Sequence, residues 1–299
     1  MRIPPFLLLV AAAGCGVARR PVDVPGPTSG PSLPMPEPAA RPATEGGPWS
    51  FAWRAGTFAY EVVSEATIEL AGDSLPAEQV RTTTYLTYTL APGADAAAEV
   101  TGLVDSVVVE GLRAGGRVAG PRDRALTAPV SFAARLDPAR RRVEFPPLQS
   151  SLCASAAERT PAGAALVLAR DLLVALPPSL APRTTWRDTV ASTVCRGDVP
   201  LSTTAVRTYE VEGLDQWEGQ PALRVRRTSE LLLAGQRGGR RPASVSGTGG
   251  ATQRLFFDLS GRLLGATGES STDVRMTAGE ESGELRQRVR TRVALMAQR

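Results

Sequence analysis

The sequence predicts a mainly β protein, an antiparallel meander packed on one α-helix, behind a tail that cannot build a core. Three observations carry this reading. Apolar and polar residues alternate at period two through most of the chain after residue 50, turn residues punctuate the alternation at short intervals, and one stretch alone switches to helical character. The 250 residues from Ser50 to Arg299 suffice for one large β domain or two smaller ones with a substantial core.

The first long strand is read over 57–70. Phe58, Tyr60, Val62, Ile68 and Leu70 fall on even positions and Glu61, Glu65, Thr67 and Glu69 on odd ones, which gives one buried and one wet face. The three glutamates repeat every four residues, about 13 Å apart along a strand, too far to act as a catalytic carboxylate pair; they are read as the wet face. Further strands are expected near 79–90, 99–112, 127–136, 141–145, 184–195, 203–213, 221–234, 250–258 and 262–276. The turn residues Gly72-Asp73, Pro92-Gly93, Asp137-Pro138, Gly197-Asp198 and Ser260-Gly261 separate them. In the last strand Arg286, Arg288, Arg290 and Arg292 alternate with Gln287, Val289, Thr291 and Val293. A helix would scatter those four arginines, whereas a strand puts them on one face.

The helix opens at Thr160-Pro161, a cap followed by proline in the first turn, and is expected over 160–176, where Pro177-Pro178 stops it. Ala165, Leu166, Leu168, Ala169, Leu172 and Leu173 make it apolar over much of its surface, so the sheet should cover it. It divides the domain into two loosely similar halves. Phe132 to Arg141 matches Gln253 to Arg262 as an apolar strand, a turn opened by Asp, and an Arg that starts the next strand. Aspartate opens turns for local hydrogen-bonding reasons as well, so duplication and coincidence both stand.

Residues 1–14 have the layout of a secretory signal: Met1-Arg2, an apolar run from Ile3 to Ala13, and small residues before Cys15, with too few apolar residues to span a bilayer. Ala12-Ala13-Gly14-Cys15 resembles a bacterial lipobox, with Ala12 where leucine is usual. That resemblance implies acylation (palmitate) of Cys15, and Gly16 after it implies sorting to the outer membrane, facing the periplasm or the cell surface. Cleavage after Ala13 or Ala18, leaving a soluble exported chain, is the other reading. Residues 15–49 are dense in Pro, Gly, Ser and Ala and poor in large apolar residues, so they are read as a disordered tether. The domain follows over 50–299, as one unit or two similar halves.

If Cys15 carries lipid, Cys153 and Cys195 remain, an even number in an oxidising compartment, and they are expected to form a disulfide. Closing that loop of about forty residues would contribute roughly 4 kcal/mol in the chain-entropy picture. Two separate buried thiols are the other reading.

All 34 basic residues are arginine, and histidine is absent. Without His or Lys the chain cannot assemble a Ser-His-Asp triad, a Cys-His or Ser-Lys dyad, a Schiff base or a His-ligated metal site. The chain is read as a non-enzyme with no cofactor and no metal. The formal charge of +4, falling to +3 without Arg2, is too small for this length to imply a nucleic-acid partner. The densest basic run, Gln236 to Arg241, offers Arg237, Arg240 and Arg241 as candidates for gripping lipid phosphates; the other reading is a solvated loop. Gly247-Thr248-Gly249-Gly250 is expected to be a flexible hairpin loop, since no lysine and no helix follow it. Trp53, Trp186 and Trp217 are expected to pack in the core or at its rim.

The alternating strands, the Asp-turn-Arg hairpins, the single helix and Leu176-Pro177 leading to Thr184-Thr185-Trp186-Arg187-Asp188 resemble uncharacterised bacterial lipoproteins in which a sheet wraps on a helix. More distantly the pattern is similar to the lipoprotein-carrier and LppX-like group. That resemblance covers roughly 55–297 and implies a strongly curved sheet, a half-barrel or barrel-like meander, around an apolar ligand. It transfers no site residue. Two functions follow as expectations: a lipid-anchored envelope protein binding a hydrophobic or lipid ligand, or a non-enzymatic interaction protein docking onto an envelope complex through an unknown protein partner.

Overall fold

The computed structural model describes residues 46–298 apart from 52, 72–76, 94–96, 114–115, 118–122, 126–128, 146–160, 197–198 and 239–241. Cys15, Cys153, Arg240 and Arg241 lie outside the described residues, and so does the expected Cys153–Cys195 pairing.

The described residues form strands β1 (Trp49–Ser50), β2 (Gly56–Leu70), β3 (Glu78–Pro92), β4 (Ala98–Arg113), β5 (Gly116–Arg117), β6 (Asp123–Ala125), β7 (Val130–Asp137) and β8 (Arg142–Glu144). Helix α1 (Pro161–Asp171) follows. After it come β9 (Ser179–Leu180), β10 (Thr185–Arg196), β11 (Val199–Trp217), β12 (Gln220–Arg237), β13 (Ala243–Phe257), β14 (Leu263–Ala278) and β15 (Glu281–Gln298). One antiparallel sheet of 13 strands runs in the order β10-β11-β12-β13-β14-β15-β2-β3-β4-β7-β8, with β5 and β6 paired to β4. The expected meander is present, and the sheet curls until its two edges, β10 and β8, touch, so that it nearly closes into a barrel. β1 and β9 form a separate two-stranded ribbon.

From β10 to β15 and from β2 to β4 each strand pairs with the next in sequence, and the two runs meet where β15, the last strand, pairs beside β2, the first long one. Alternation dictates the faces. Phe58, Tyr60, Val62 and Ile68 of β2 are buried, while Glu61 and Glu65 point outward, Glu65 towards Arg81 at 3.9 Å. The four arginines of β15 share the outer face, where Arg286 meets Asp273 at 2.7 Å, Arg290 meets Glu269 at 2.9 Å and Arg292 meets Glu218 at 2.8 Å.

The main core fills one end of the barrel. Tyr60, Leu86, Tyr88, Val100, Phe132, Tyr209, Leu223 and Leu255 converge there on α1, which packs against β4, β7 and β10. Tyr88 donates its hydroxyl to Ala169 O at 2.8 Å and Tyr60 donates across the barrel to Leu263 O at 2.9 Å, so neither buried phenol is left unpaired. The two Asp turns form as expected. Asp137 Oδ1 accepts from Arg140 N at 2.8 Å, and Asp258 Oδ1 accepts from the backbone of Ser260 and of Arg262 at 2.9 Å each, with Gly261 at a φ of 87°.

Two expectations change. The helix ends at Asp171, five residues short of the predicted Leu176. Leu172 to Pro177 continue as non-helical chain, buried on all sides. An apolar run wanted on every side looks the same to periodicity whether it coils or extends. The second change is Gly247 to Gly250, which lies inside β13 and not in a loop. A Cβ on Gly249 would stand 2.5 Å from Ser271 O and 2.8 Å from Thr272 Oγ1, and one on Gly247 would stand 2.7 Å from Asp273 O. Glycine is there because β13 and β14 approach more closely than any side chain allows.

This contact is testable. Gly249→Ala should lower stability by about 1–3 kcal/mol in urea unfolding, as overpacking does. Gly238→Ala, where an added Cβ meets nothing within 4 Å, should leave the midpoint unchanged. Equal midpoints for the two variants would count against the close approach.

Candidate functional site

Away from the helix, the barrel interior changes in steps that can be followed along the register. One inward row reads Tyr209, Arg227, Gln253, Gly268, Thr291, Ser64 and Thr82 across seven neighbouring strands. It is polar at every position but Gly268, and Ser64 Oγ lies 3.3 Å from Thr291 Oγ1. The next row reads Asp188, Arg207, Ser229, Ala251, Ser270, Val289, Ala66 and Val80. From Ser229 onward these side chains are small, and a cavity of about 830 Å³ opens against them. The inward residues Ser229, Ala251, Ser270, Val289 and Ala66 are only half-buried, whereas inward residues at the helix end are fully covered.

Below this lies a row of Leu231, Gly249, Thr272, Gln287 and Ile68, and then one of Leu233, Gly247, Val274, Leu285 and Leu70. This last row borders a second cavity of about 640 Å³ and belongs to an apolar cluster with Val199, Leu201, Val245 and Met276. The interior is therefore graded from charged, through small and hydroxylated, to apolar.

The charged end is a closed network. Arg207, with no exposed surface, donates Nε to Asp188 Oδ1 at 2.7 Å and Nη2 to Asp188 Oδ2 at 2.6 Å, a side-on bidentate pair. Its Nη1 donates to Asp171 O at 3.2 Å and to Asp171 Oδ1 at 3.3 Å. Arg227, 1% exposed, donates Nη1 to the same carbonyl at 2.5 Å and Nη2 to Asp171 Oδ2 and Gln253 Oε1. Asp171 is the last residue of α1, so two guanidiniums from adjacent strands satisfy a helix C-terminus inside the barrel. Trp186 stacks on Tyr209 at 4.8 Å and covers the network from the side.

Burial alone would raise the pKa of Asp171, but Arg227 and Arg207 outweigh it and hold the carboxyl below its ordinary value. Burial pushes the Tyr209 phenol up to about 12, against the pull of Arg207 and Arg227. With two guanidiniums facing two carboxylates, the cluster is neutral.

The predicted candidates lie elsewhere. Arg237 stands at the far end of β12, opposite Ala243 and eight residues beyond Ser229, about 27 Å along the strand. Trp186 is buried in the core, Trp217 packs on Phe256 at 4.6 Å and Trp53 borders the core. Among the described residues no group of three or more His, Cys, Asp or Glu could hold a metal ion, and no helix is long and apolar enough to cross a membrane.

Sequence reading missed Asp171, Asp188, Arg207 and Arg227. A signal existed: Asp188 sits in phase with Trp186 and Val190, and Arg207 with Ala205, Tyr209 and Val211, so opposite charges occupy the apolar phase of adjacent strands. No family model matches the sequence, and a search of curated proteins returns no match.

Arg207→Met leaves Asp188, whose side chain is 3% exposed, without its cation; the expected cost is about 3–5 kcal/mol in urea unfolding. Arg290→Ala removes a pair in which both side chains are 70% exposed and should cost under about 1 kcal/mol. Because the carboxyl of Asp171 titrates lower in the folded state, its contribution is present above the unfolded pKa and is lost as pH falls through the folded one. Asp171→Asn should therefore be less stable than the parent at neutral pH and lose less stability on acidification below about pH 4, as read by denaturant midpoints across pH.

Proposed function

We propose that this chain is an exported, lipid-anchored envelope protein whose barrel interior holds a hydrophobic or lipid ligand. The observation that carries the reading is the cavity of about 830 Å³ behind a registered row of small side chains, a volume within the range of small-molecule sites. A β protein of this size ordinarily fills its interior to crystal-like density. Here Ser229, Ala251, Ser270, Val289 and Ala66 occupy five adjacent strands at one level, and the apolar cluster resumes beyond them.

The anchoring part of the proposal rests on Met1 to Cys15 and on the Pro-rich stretch after it, which would hold the barrel away from a membrane surface. The role is binding and not catalysis: the inward charges nearest the cavity are committed to one another, and the chain has neither His nor Lys.

Ala251→Trp places an indole on the cavity wall. It should reduce uptake of the neutral fluorophore N-phenyl-1-naphthylamine by roughly tenfold or more, the loss of one well-buried apolar contact set, while the unfolding midpoint stays near that of the parent. Ala66→Phe, in the same row three strands away on β2, repeats the test if the first variant folds poorly. Undiminished uptake in a folded, cavity-filled variant would sink the binding role.

Intact mass spectrometry of protein extracted from native envelopes checks the anchor. The expected mass is that of residues 15–299 plus acyl chains, and two hydrogens lower before reduction if Cys153 and Cys195 are joined. An unacylated chain beginning at Gly14 or Arg19 would make it a soluble exported protein and remove the tether from the account.

A further inference from the structure

We infer that the ligand is an uncharged amphipath, with a hydroxyl- or ester-bearing head at the level of Ser229 and Ser270 and a single alkyl chain running towards Leu70, Leu233, Val274 and Leu285. The inference rests on the cavity reading and narrows it. Its first support is the order of the rows. From Ser229 to Leu233 is four residues, about 13 Å along the strand, and Gly235, at the level of Val245 and Met276, lies about 20 Å from Ser229. Over that distance the lining passes from hydroxyls to hydrocarbon. Gly249 stands between the two cavities and Gly247 lines the second, so the inward phase of β13 offers no side chain to interrupt a chain lying along it.

The second support is charge. At the helix side Arg207 is matched by Asp188, and Arg227 by Asp171, with Asp171 O taking a further hydrogen bond from each. A carboxylate or phosphate arriving there would have to displace a buried carboxylate from a bidentate pair. The charged residues on the cavity's own walls, Glu65, Glu269, Arg288 and Arg290, belong to the outward phase of their strands, and three of them are paired: Glu65 with Arg81, and Arg290 with Glu269. An anionic head on the inward face would meet no cation there, since the row from Ser229 to Val80 carries no charge and Arg288 lies in the outward phase of β15, and desolvation without a cation disfavours it. Hydroxyls and esters need only neutral partners. Among the described residues the side chains of Ser229 and Ser270 make no hydrogen bond within the protein, so both are open to such a head.

The experiment uses delipidated full-length protein and native mass spectrometry with calorimetry at pH 8, with 1-monooleoylglycerol, oleate and a two-chain phosphatidylglycerol as probes. The expected result is one monooleoylglycerol per chain, with oleate and phosphatidylglycerol weaker by roughly tenfold or more. Ser229→Ala with Ser270→Ala should weaken monooleoylglycerol by roughly tenfold, as two lost hydrogen bonds would, while the unfolding midpoint in urea stays near that of the parent; undiminished monooleoylglycerol binding would overturn the placement of the head. Oleate or phosphatidylglycerol binding as tightly as monooleoylglycerol would overturn the uncharged head and leave the cavity reading standing. Failure of all three probes and of the fluorophore would overturn the cavity reading itself.

Discussion

Two arginines closing on the last residue of a helix set the terms for the rest of this fold. A helix that ends inside a barrel leaves carbonyls where water cannot serve them, and an aspartate at that end adds a full negative charge to the negative pole of the helix. Without compensation α1 could not end there. Arg207 and Arg227 reach the Asp171 carbonyl and carboxylate together, and Asp188 balances the remaining charge. Burying three of these charges fully, with the Asp171 side chain 32% exposed, gains little net stability over a hydrophobic alternative. What it specifies is position: Arg207 and Arg227 both reach the end of α1, which ties the helix to β11 and β12.

The sheet supports this arrangement through its connectivity. β2, from the start of the domain, must pair with β15 from its end before the strand order is complete, so the barrel wall is finished by its most distant contact. Folding dominated by such pairings is slow. The outer face adds little to the balance, since its arginine-carboxylate pairs are solvent-exposed and individually weak. Stability is concentrated in the helix-end core and in the apolar cluster at the opposite end, which is why the wall between them can be lined by small residues without the domain losing its hold.

Alternation made most of this readable. The β2 pattern from Phe58 to Leu70, the shared face of Arg286 to Arg292, and the turns at Asp137 and Asp258 are local properties, set by the pleat and by side-chain hydrogen bonds within four residues. The parts that were not legible depend on what lies across the barrel. Gly247 and Gly249 look like a loop because glycine is read as freedom, whereas here it permits β14 to come within reach of β13. Arg227 looks like part of a basic patch because Arg224, Arg226 and Arg227 are close in sequence; only phase separates Arg227, inward and buried, from its outward neighbour Arg226. The closure of the sheet, and with it the cavity, depends on curvature accumulated over eleven strands, which no single segment encodes.

The clamp and the cavity are two consequences of one row of residues. Asp188, Arg207, Ser229, Ala251, Ser270, Val289, Ala66 and Val80 lie at the same level of the barrel, and their sizes are unequal. On one side a guanidinium and its carboxylate extend inward; on the other, side chains of at most a few atoms leave space. The helix packs against β4, β7 and β10 at one end, and the cavity lies beyond its last residue against β12 to β15, β2 and β3. A larger residue at Ser229 would press on Arg207, its registered neighbour, and disturb the hold on Asp171. The small size of this row is therefore constrained from both sides: by whatever the cavity accommodates, and by the arginine that must keep its extended path to the helix end.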